Sequence, residues 1–312
     1  MSKTKVFIDG SSGTAGLRIR ERLEPRDDIG IISIPYELRH DLEAKSQAIN
    51  SADVAFLCLP DEGSVEAVGL VKSDSVAVID TSTAHRTAPG WEYGFPELAG
   101  RRERIAGSKR IANPGCHATA FILALRPLVA DGLLPADTQI AANSITGYSG
   151  GGKKMIEHYR GPQRIDAPRP YALGLTHKHL PEMRAYTGLA VAPIFQPIVG
   201  PFYKGLAVTA YLHPRQLSRK ATPEDVRKIL ADYYADEGFI RVAPVDLEAN
   251  TEGGFFDVEA NNDTNRVDLF VFGNEERMLV VTRLDNLGKG ASGAAVQSMN
   301  VHLGVEESLG LV

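Results

Sequence analysis

The sequence predicts an α/β chain of two domains: a doubly wound parallel-sheet domain, then an α+β domain built on a mixed sheet. Three observations carry this. A glycine turn separates the first strand from the first helix. Apolar runs alternate with helical periodicity up to residue 115, and beyond it strand-like runs follow one another with a hairpin turn between the last two. At 312 residues the chain exceeds one compact core. Its 43% hydrophobic and 23% charged residues are ordinary for a globular protein. A net charge of −5 and a pI near 5.9 argue against nucleic acid or an anionic membrane as partner. No apolar run reaches a membrane span, no leader pattern precedes the first strand, and two cysteines make no disulfide framework. A cytoplasmic protein is the expectation.

Lys5–Asp9 reads as the first strand. Gly10, Gly13 and Gly16 then punctuate a turn before Leu17, Ile19 and Leu23 take helical spacing. This G-x-x-G-x-x-G run departs from the usual dinucleotide spacing. It still supplies a tight turn, close backbone approach to a pyrophosphate and a helix N-terminus aimed at it. An ordinary strand-to-helix turn would look similar; its place at the head of the chain favours a nucleotide and a Rossmann-like domain. The second strand, Ile29–Ile34, ends near Ser33, Arg39 and His40 where NAD enzymes often carry an acid, which suits a 2′-phosphate, although Glu37 lies close. Ala52–Pro60 and Ser75–Asp80 read as strands covered on both faces, and Cys58 inside the first reads as packing. The second ends in a polar cluster, Asp80–Arg86. Ser82 and Arg86 become candidates for an anionic ligand at the carboxyl end of the sheet.

Ile111–Ala120 organises the chain. It reads as a short strand, a tight Asn113-Pro114-Gly115 turn, then Cys116 opening an apolar helix. Unpaired N–H groups at a helix start favour a thiolate over a thiol of pKa about 8.5. The plain alternative is a small buried hydrophobe; the turn favours a nucleophile.

After Cys116 the texture changes. Thr138–Thr146 reads as a strand running into Gly147–Gly152, a glycine loop closed by Lys153 and Lys154. It can present N–H groups and an ammonium to an anion, or serve as a flexible connection; it lacks P-loop spacing, so ATP is not implied. His177 and His179, two apart, are expected on one face of an extended segment, with Pro181 arguing against helix through Leu180. A base for the cysteine is a better use of them than zinc, for which third and fourth ligands are missing; a surface pair is the bland alternative. Residues 194–199, 205–212, 267–272 and 278–284 read as strands, the last two flanking a hairpin turn. Residues 223–234 read as a helix capped by Thr222. One sheet face is expected to be free for a dimer partner. A loop from Asp285 leads into a last helix expected to pack on the first domain. The expected boundaries are 1–115 plus 285–312 for the dinucleotide domain and 116–284 for the catalytic and dimerisation domain.

A dinucleotide turn, a helix-start cysteine and a histidine suggest one reaction: a thiolate attacks an acyl phosphate, phosphate leaves, and hydride from NADPH reduces the thioester to an aldehyde. Seven stretches in order (10–16, 80–86, 93–97, 113–116, 148–154, 177–182 and 285–291) carry a resemblance over essentially the whole chain. The sequence resembles the N-acetyl-γ-glutamyl-phosphate reductase family, its shorter subgroup, within the semialdehyde dehydrogenase superfamily. The resemblance implies NADP(H)-dependent, metal-free interconversion of N-acetyl-glutamyl 5-phosphate and its semialdehyde in arginine biosynthesis. The partners it implies are this small-molecule substrate, phosphate, and further copies in a homodimer or homotetramer. It implies Cys116 as nucleophile and His179, ahead of His177, as acid/base, the other histidine orienting substrate with Glu182. Arg86, Asn113, Ser149 and Lys153 would contact substrate. Gly10, Ser12, Gly13, Thr14 and Gly16 would line the pyrophosphate. Ser33, Arg39 and Ser82 would also meet the cofactor, with Asn286 and Gly290 near the nicotinamide. Two departures stand out: the short exit Ser33–Tyr36, and His117 following the cysteine. Three alternatives are weighed. Aspartate-semialdehyde dehydrogenase shares the chemistry but is not expected to carry His-Lys-His-Leu-Pro-Glu. A cysteine hydrolase would need no nucleotide, and an NADP sensor would be indifferent to Cys116→Ser.

Overall fold

The computed structural model describes residues 3–162 and 165–311. Met1 and Ser2, on which the expectation about a leader falls, lie outside the described residues. Strand β1 (Thr4–Asp9) lies between two parallel neighbours, β2 (Ile29–Ile32) and β3 (Val54–Leu57). Helices α1 (Thr14–Leu23) and α2 (Leu42–Asn50) connect these strands, and α3 (Asp61–Gly69) leads to β4 (Ala77–Asp80). Strand β5 (Glu92–Tyr93), helix α4 (Arg101–Gly107) and strand β6 (Arg110–Ala112) complete a parallel sheet of order β2-β1-β3-β4-β6-β5. Every residue of β3 and β4 is buried, as their unbroken apolar runs require. The chain turns outward in opposite directions from β1 and β3, the switch point where open α/β sheets bind ligands.

Two local expectations shift. The second strand ends at Ile32, not Ile34. Helix α1 begins at Thr14, so Gly16 lies inside it, where a side chain would meet the Gly10 carbonyl oxygen at 2.4 Å. Close packing of helix on turn, rather than turn geometry, demands glycine at that position.

Residues 115–290 form a second compact unit; the first comprises residues up to Pro114 and those from Ala291 on. The second opens with α5 (Cys116–Ala130), whose apolar residues Phe121, Ile122, Leu123, Leu125 and Leu128 are fully buried. A helix buried on all sides belongs in a core. Pro127 inside it cannot donate to the Leu123 carbonyl, and the Tyr234 hydroxyl supplies that bond at 3.0 Å. Next come β7 (Ala141–Gly147), α6 (Gly152–Arg160), β8 (Arg169–Pro170), α7 (Leu180–Thr187), β9 (Ile194–Gly200) and β10 (Leu206–Leu212). Helix α8 (Pro223–Tyr233), β11 (Ile240–Val242), β12 (Val267–Asn274) and β13 (Arg277–Leu284) follow. The sheet order is β11-β12-β13-β10-β7-β9-β8: β12, β13, β10 and β7 pair antiparallel, while β7 with β9 and β11 with β12 pair parallel. The mixed sheet is as the sequence predicts. Thr222 caps α8 in a capping box with Asp225.

A π-helical turn over Gly288–Ser292 leads into α9 (Gly293–Leu303), which lies against α1 and α4 in the first unit. There Arg26 donates to Asn300 Oδ1 at 2.7 Å.

Gly10 sits at φ +79°, with the Cys58 carbonyl oxygen 2.3 Å from where a Cβ would be. Gly10→Ala should therefore destabilise the fold by about 1–3 kcal/mol, read from denaturant unfolding curves.

Candidate active site

The first unit carries a cavity of about 460 Å³ at the carboxyl end of β1. Gly10, Ser12 and Gly13 line it from the turn, Ser33, Tyr36, Arg39 and His40 from the β2 exit, and Lys45 from α2. Gly13 is the N-cap of α1 and no side chain caps that end, so the helix presents backbone donors there. With Thr14 as first helical residue and Gly16 packed beneath, the predicted turn is assembled as a phosphate cradle would be. A Cβ at Gly10 would collide with the Cys58 carbonyl, so the turn needs glycine there. The Arg39 guanidinium lies 3.8 Å from the centroid of the Tyr36 ring, and Lys45 reaches Asp9 at 3.1 Å with both side chains buried. Tyr36 and Lys45 escaped the sequence reading; their only signal was proximity to the β2 exit.

The polar cluster after β4 is largely turned inward. Asp80 accepts from Ser64 Oγ, from the Ser82 N–H and from Ser82 Oγ, and lies 2.6 Å from His85 Nδ1. His85 in turn stacks on Trp91. Arg86, buried, donates through Nε to the Asn113 carbonyl and through Nη2 to the Thr81 carbonyl. The Asn113 side chain donates to the carbonyls of Pro114 and Ala291. Arg86 and the Asn113 side chain thus hold the turn that leads to Cys116, while Ser82 is tied to Asp80.

In the second unit Cys116 is the first residue of α5, with Gly115 as N-cap and no side-chain cap. The Gly115 N–H donates to Glu182 Oε2 at 3.1 Å, and that carboxylate is 1% exposed. Glu182 fixes the nucleophile's turn, a duty sequence reasoning did not assign to it. A Cβ on Gly290 would stand 2.7 Å from Cys116 Cβ, so Gly290 packs against the cysteine.

His177 and His179 are buried, with ring centroids 4.7 Å apart. The expected extended segment is instead a turn: His179 has φ −87° and ψ −8° and caps α7, and Pro181 falls in the helix's first turn, where a missing N–H costs nothing. The rings converge through this turn rather than through strand alternation. The His179 N–H donates to His177 Nδ1 at 3.1 Å. His117, whose role the sequence left open, packs against both rings, at 5.4 Å and 5.5 Å. Burial, and then the neighbouring His177 imidazole, push its imidazole down to about 3. Tyr171, unnoticed in the sequence, lies among them; burial and then the Cys116 charge raise its phenol.

Asn286 Nδ2 donates to Ser149 Oγ at 3.0 Å and its Oδ1 accepts from the Gly205 N–H at 2.8 Å. Both side chains are buried and tie two loops together. Lys153 is exposed in the first turn of α6. The glycine loop before it is a short 3₁₀ turn that starts this helix, not a plain connection. Cys58 behaves as packing, its thiol pushed up to about 12 by burial although the residue keeps some exposure. Among the described residues no cluster of three metal-ligating side chains occurs, and no helix is long and apolar enough to cross a membrane.

A glycine turn at the switch point of one unit, and a helix-start cysteine in the unit that holds three packed imidazoles, are what a nucleotide-dependent oxidoreductase with a thiol nucleophile would need. Residues 4–108 match the family model "Semialdehyde dehydrogenase, NAD binding domain", and residues 116–286 match "Semialdehyde dehydrogenase, dimerisation domain". N-acetyl-gamma-glutamyl-phosphate reductase 2 of Nostoc sp. is 47% identical over 100% of both chains. The N-acetyl-gamma-glutamyl-phosphate reductase of Chelativorans sp. is 48% identical over 96% of this chain and 98% of its own. Aspartate semialdehyde dehydrogenase II of Vibrio cholerae shares the fold, with TM-score 0.73 at 17% identity over 97% and 99% of the two chains. The chain belongs to the N-acetyl-γ-glutamyl-phosphate reductase family of semialdehyde dehydrogenases.

Gly290→Ala should displace Cys116 and slow its alkylation by iodoacetamide at least several-fold, read by mass spectrometry against the wild type. Acidification should reveal His117. The folded imidazole, at about 3, refuses a proton that the unfolded chain accepts below 6.5, so stability falls as pH drops through that window. His117→Gln should flatten that part of the stability curve, measured by denaturant titration at several pH values.

Proposed function

We propose that this chain reduces N-acetyl-L-glutamyl 5-phosphate with NADPH to N-acetyl-L-glutamate 5-semialdehyde and phosphate, the reaction its relatives are named for, in arginine biosynthesis. The carrying observation is Cys116 at the uncapped start of a buried helix whose next residue, His117, packs against both His177 and His179, in a chain 47% identical to such a reductase from end to end. Gly10, Ser12, Gly13 and the start of α1 would hold the cofactor's pyrophosphate, with Ser33 and Arg39 serving its 2′-phosphate. NADPH, when bound, supplies the hydride that reduces the thioester.

The chain's own residues do the rest. His179 takes the Cys116 proton, and the thiolate attacks the acyl carbon. As the C–O bond to phosphate breaks, His179 returns the proton to the departing phosphate. Backbone N–H groups in the first turn of α5 stabilise the oxyanion of each tetrahedral state. After reduction the C–S bond breaks, releasing aldehyde and regenerating the thiolate. Ser149 and Lys153 serve the substrate's anionic groups, while Arg86, Asn113 and Glu182 hold the nucleophile's turn. The matched dimerisation domain supports self-association; the proposed assembly is a homodimer or a homotetramer, and the proposed reaction is set in the cytoplasm.

The test follows NADP reduction with N-acetylglutamate semialdehyde plus phosphate, beside aspartate semialdehyde plus phosphate. Turnover of the first is expected; turnover of the second alone would overturn the substrate. Cys116→Ala should abolish turnover and leave NADPH affinity, measured by fluorescence titration, nearly unchanged.

A further inference from the structure

Four polar groups in the second unit join end to end, and only one assignment of their protons gives each hydrogen bond a donor and an acceptor and also uses the phenol's own proton within the chain. His117 Nδ1 lies 2.8 Å from Ser144 Oγ, and its Nε2 lies 2.9 Å from the Tyr171 hydroxyl. The same hydroxyl lies 3.4 Å from His177 Nε2, while His177 Nδ1 accepts from the His179 N–H. That last bond sets the order. A backbone N–H only donates, so neutral His177 carries its proton on Nε2 and gives it to the Tyr171 oxygen. The phenol's own proton then points at His117 Nε2, and His117, left with a proton on Nδ1, donates to Ser144.

We infer that Ser144, His117 and Tyr171 form a positioning chain that fixes the tautomer and the ring orientation of His177. His177 is thereby committed to placement, and proton transfer falls to its neighbour His179; this rests on the reaction proposed above.

Burial supports the assignment. Ser144 is 0% exposed and His117 2%, on β7 and α5, so neither can turn to solvent for another partner. The neutral state of His117 at physiological pH follows from the same burial. A buried histidine next to the cysteine thus has a use that packing alone does not require: a phenylalanine would fill the volume but accept no phenol proton.

The test has two arms. In the kinetic arm, His117→Phe should lower kcat on the order of 10- to 100-fold, as loss of an orienting partner does. NADPH affinity should stay unchanged. His117→Gln, which keeps an acceptor facing the phenol, should recover most of the loss. Tyr171→Phe removes one oxygen, stands in if His117→Phe fails to fold, and should match its effect, the double variant being no worse than either single one. Wild-type kcat in both single variants, or losses that multiply in the double variant, would overturn the chain. In the second arm, long-range ¹H–¹⁵N NMR of histidine-labelled protein at pH 7 should show His117 as the neutral Nδ1–H tautomer and His177 as the neutral Nε2–H tautomer. The opposite tautomer, or an imidazolium, at either position would contradict the inference. This arm needs no turnover, so it judges the chain even if the proposed substrate proves wrong.

Discussion

The hydrogen bond from the Gly115 N–H to the Glu182 carboxylate is the constraint on which the rest of the site depends. It joins the N-cap of α5 to the first turn of α7, and α7 begins at the histidine turn. One bond therefore ties the turn before Cys116 to the helix that begins at the histidine turn. A carboxylate 1% exposed is costly to bury without partners, and a backbone donor beside a helix start is among the partners that suit its charge. The neighbouring Asn113 is fixed independently: its N–H donates to the Asp80 carbonyl, its own carbonyl accepts from Arg86, and its amide reaches Ala291. Between Asn113 and Gly115 stands Pro114, whose φ is closed to adjustment.

Much of the fold was legible because its signals are local. The unbroken apolar runs of β3 and β4 mean burial on both faces, and the Thr222 cap and the hairpin before β13 follow from turn chemistry. Strands β8 and β11 were not legible: with two and three residues they carry no periodicity, and tertiary pairing alone makes them strands. The histidine turn was misjudged for a related reason. Pro181 reads as a helix breaker along the sequence, yet at a helix start its missing N–H would have no partner anyway.

The site was legible in its residue types more than in their duties. Cys116, His177 and His179 announce chemistry by themselves. Arg86, Glu182, Asn286 and Ser82 also looked chemical, but the hydrogen bonds described for them go to the protein's own carbonyls, amides, hydroxyls and, for Ser82, the Asp80 carboxylate. Sequence spacing does not separate a group that meets a ligand from one that holds the group that does. Tyr171 and Ser144 show the converse. Neither sits in a motif, and both matter only because the fold brings a strand and a loop to the same imidazole.

The central claim is that an acyl group passes through the sulfur of residue 116. Rapid-quench intact-mass spectrometry of the enzyme mixed with N-acetylglutamyl phosphate, in the absence of NADPH, tests it most directly. The account predicts one acyl group per chain, mapped to the peptide containing Cys116 and discharged as aldehyde when NADPH is added. A turning-over enzyme that accumulates no adduct, or carries it on another residue, would contradict it.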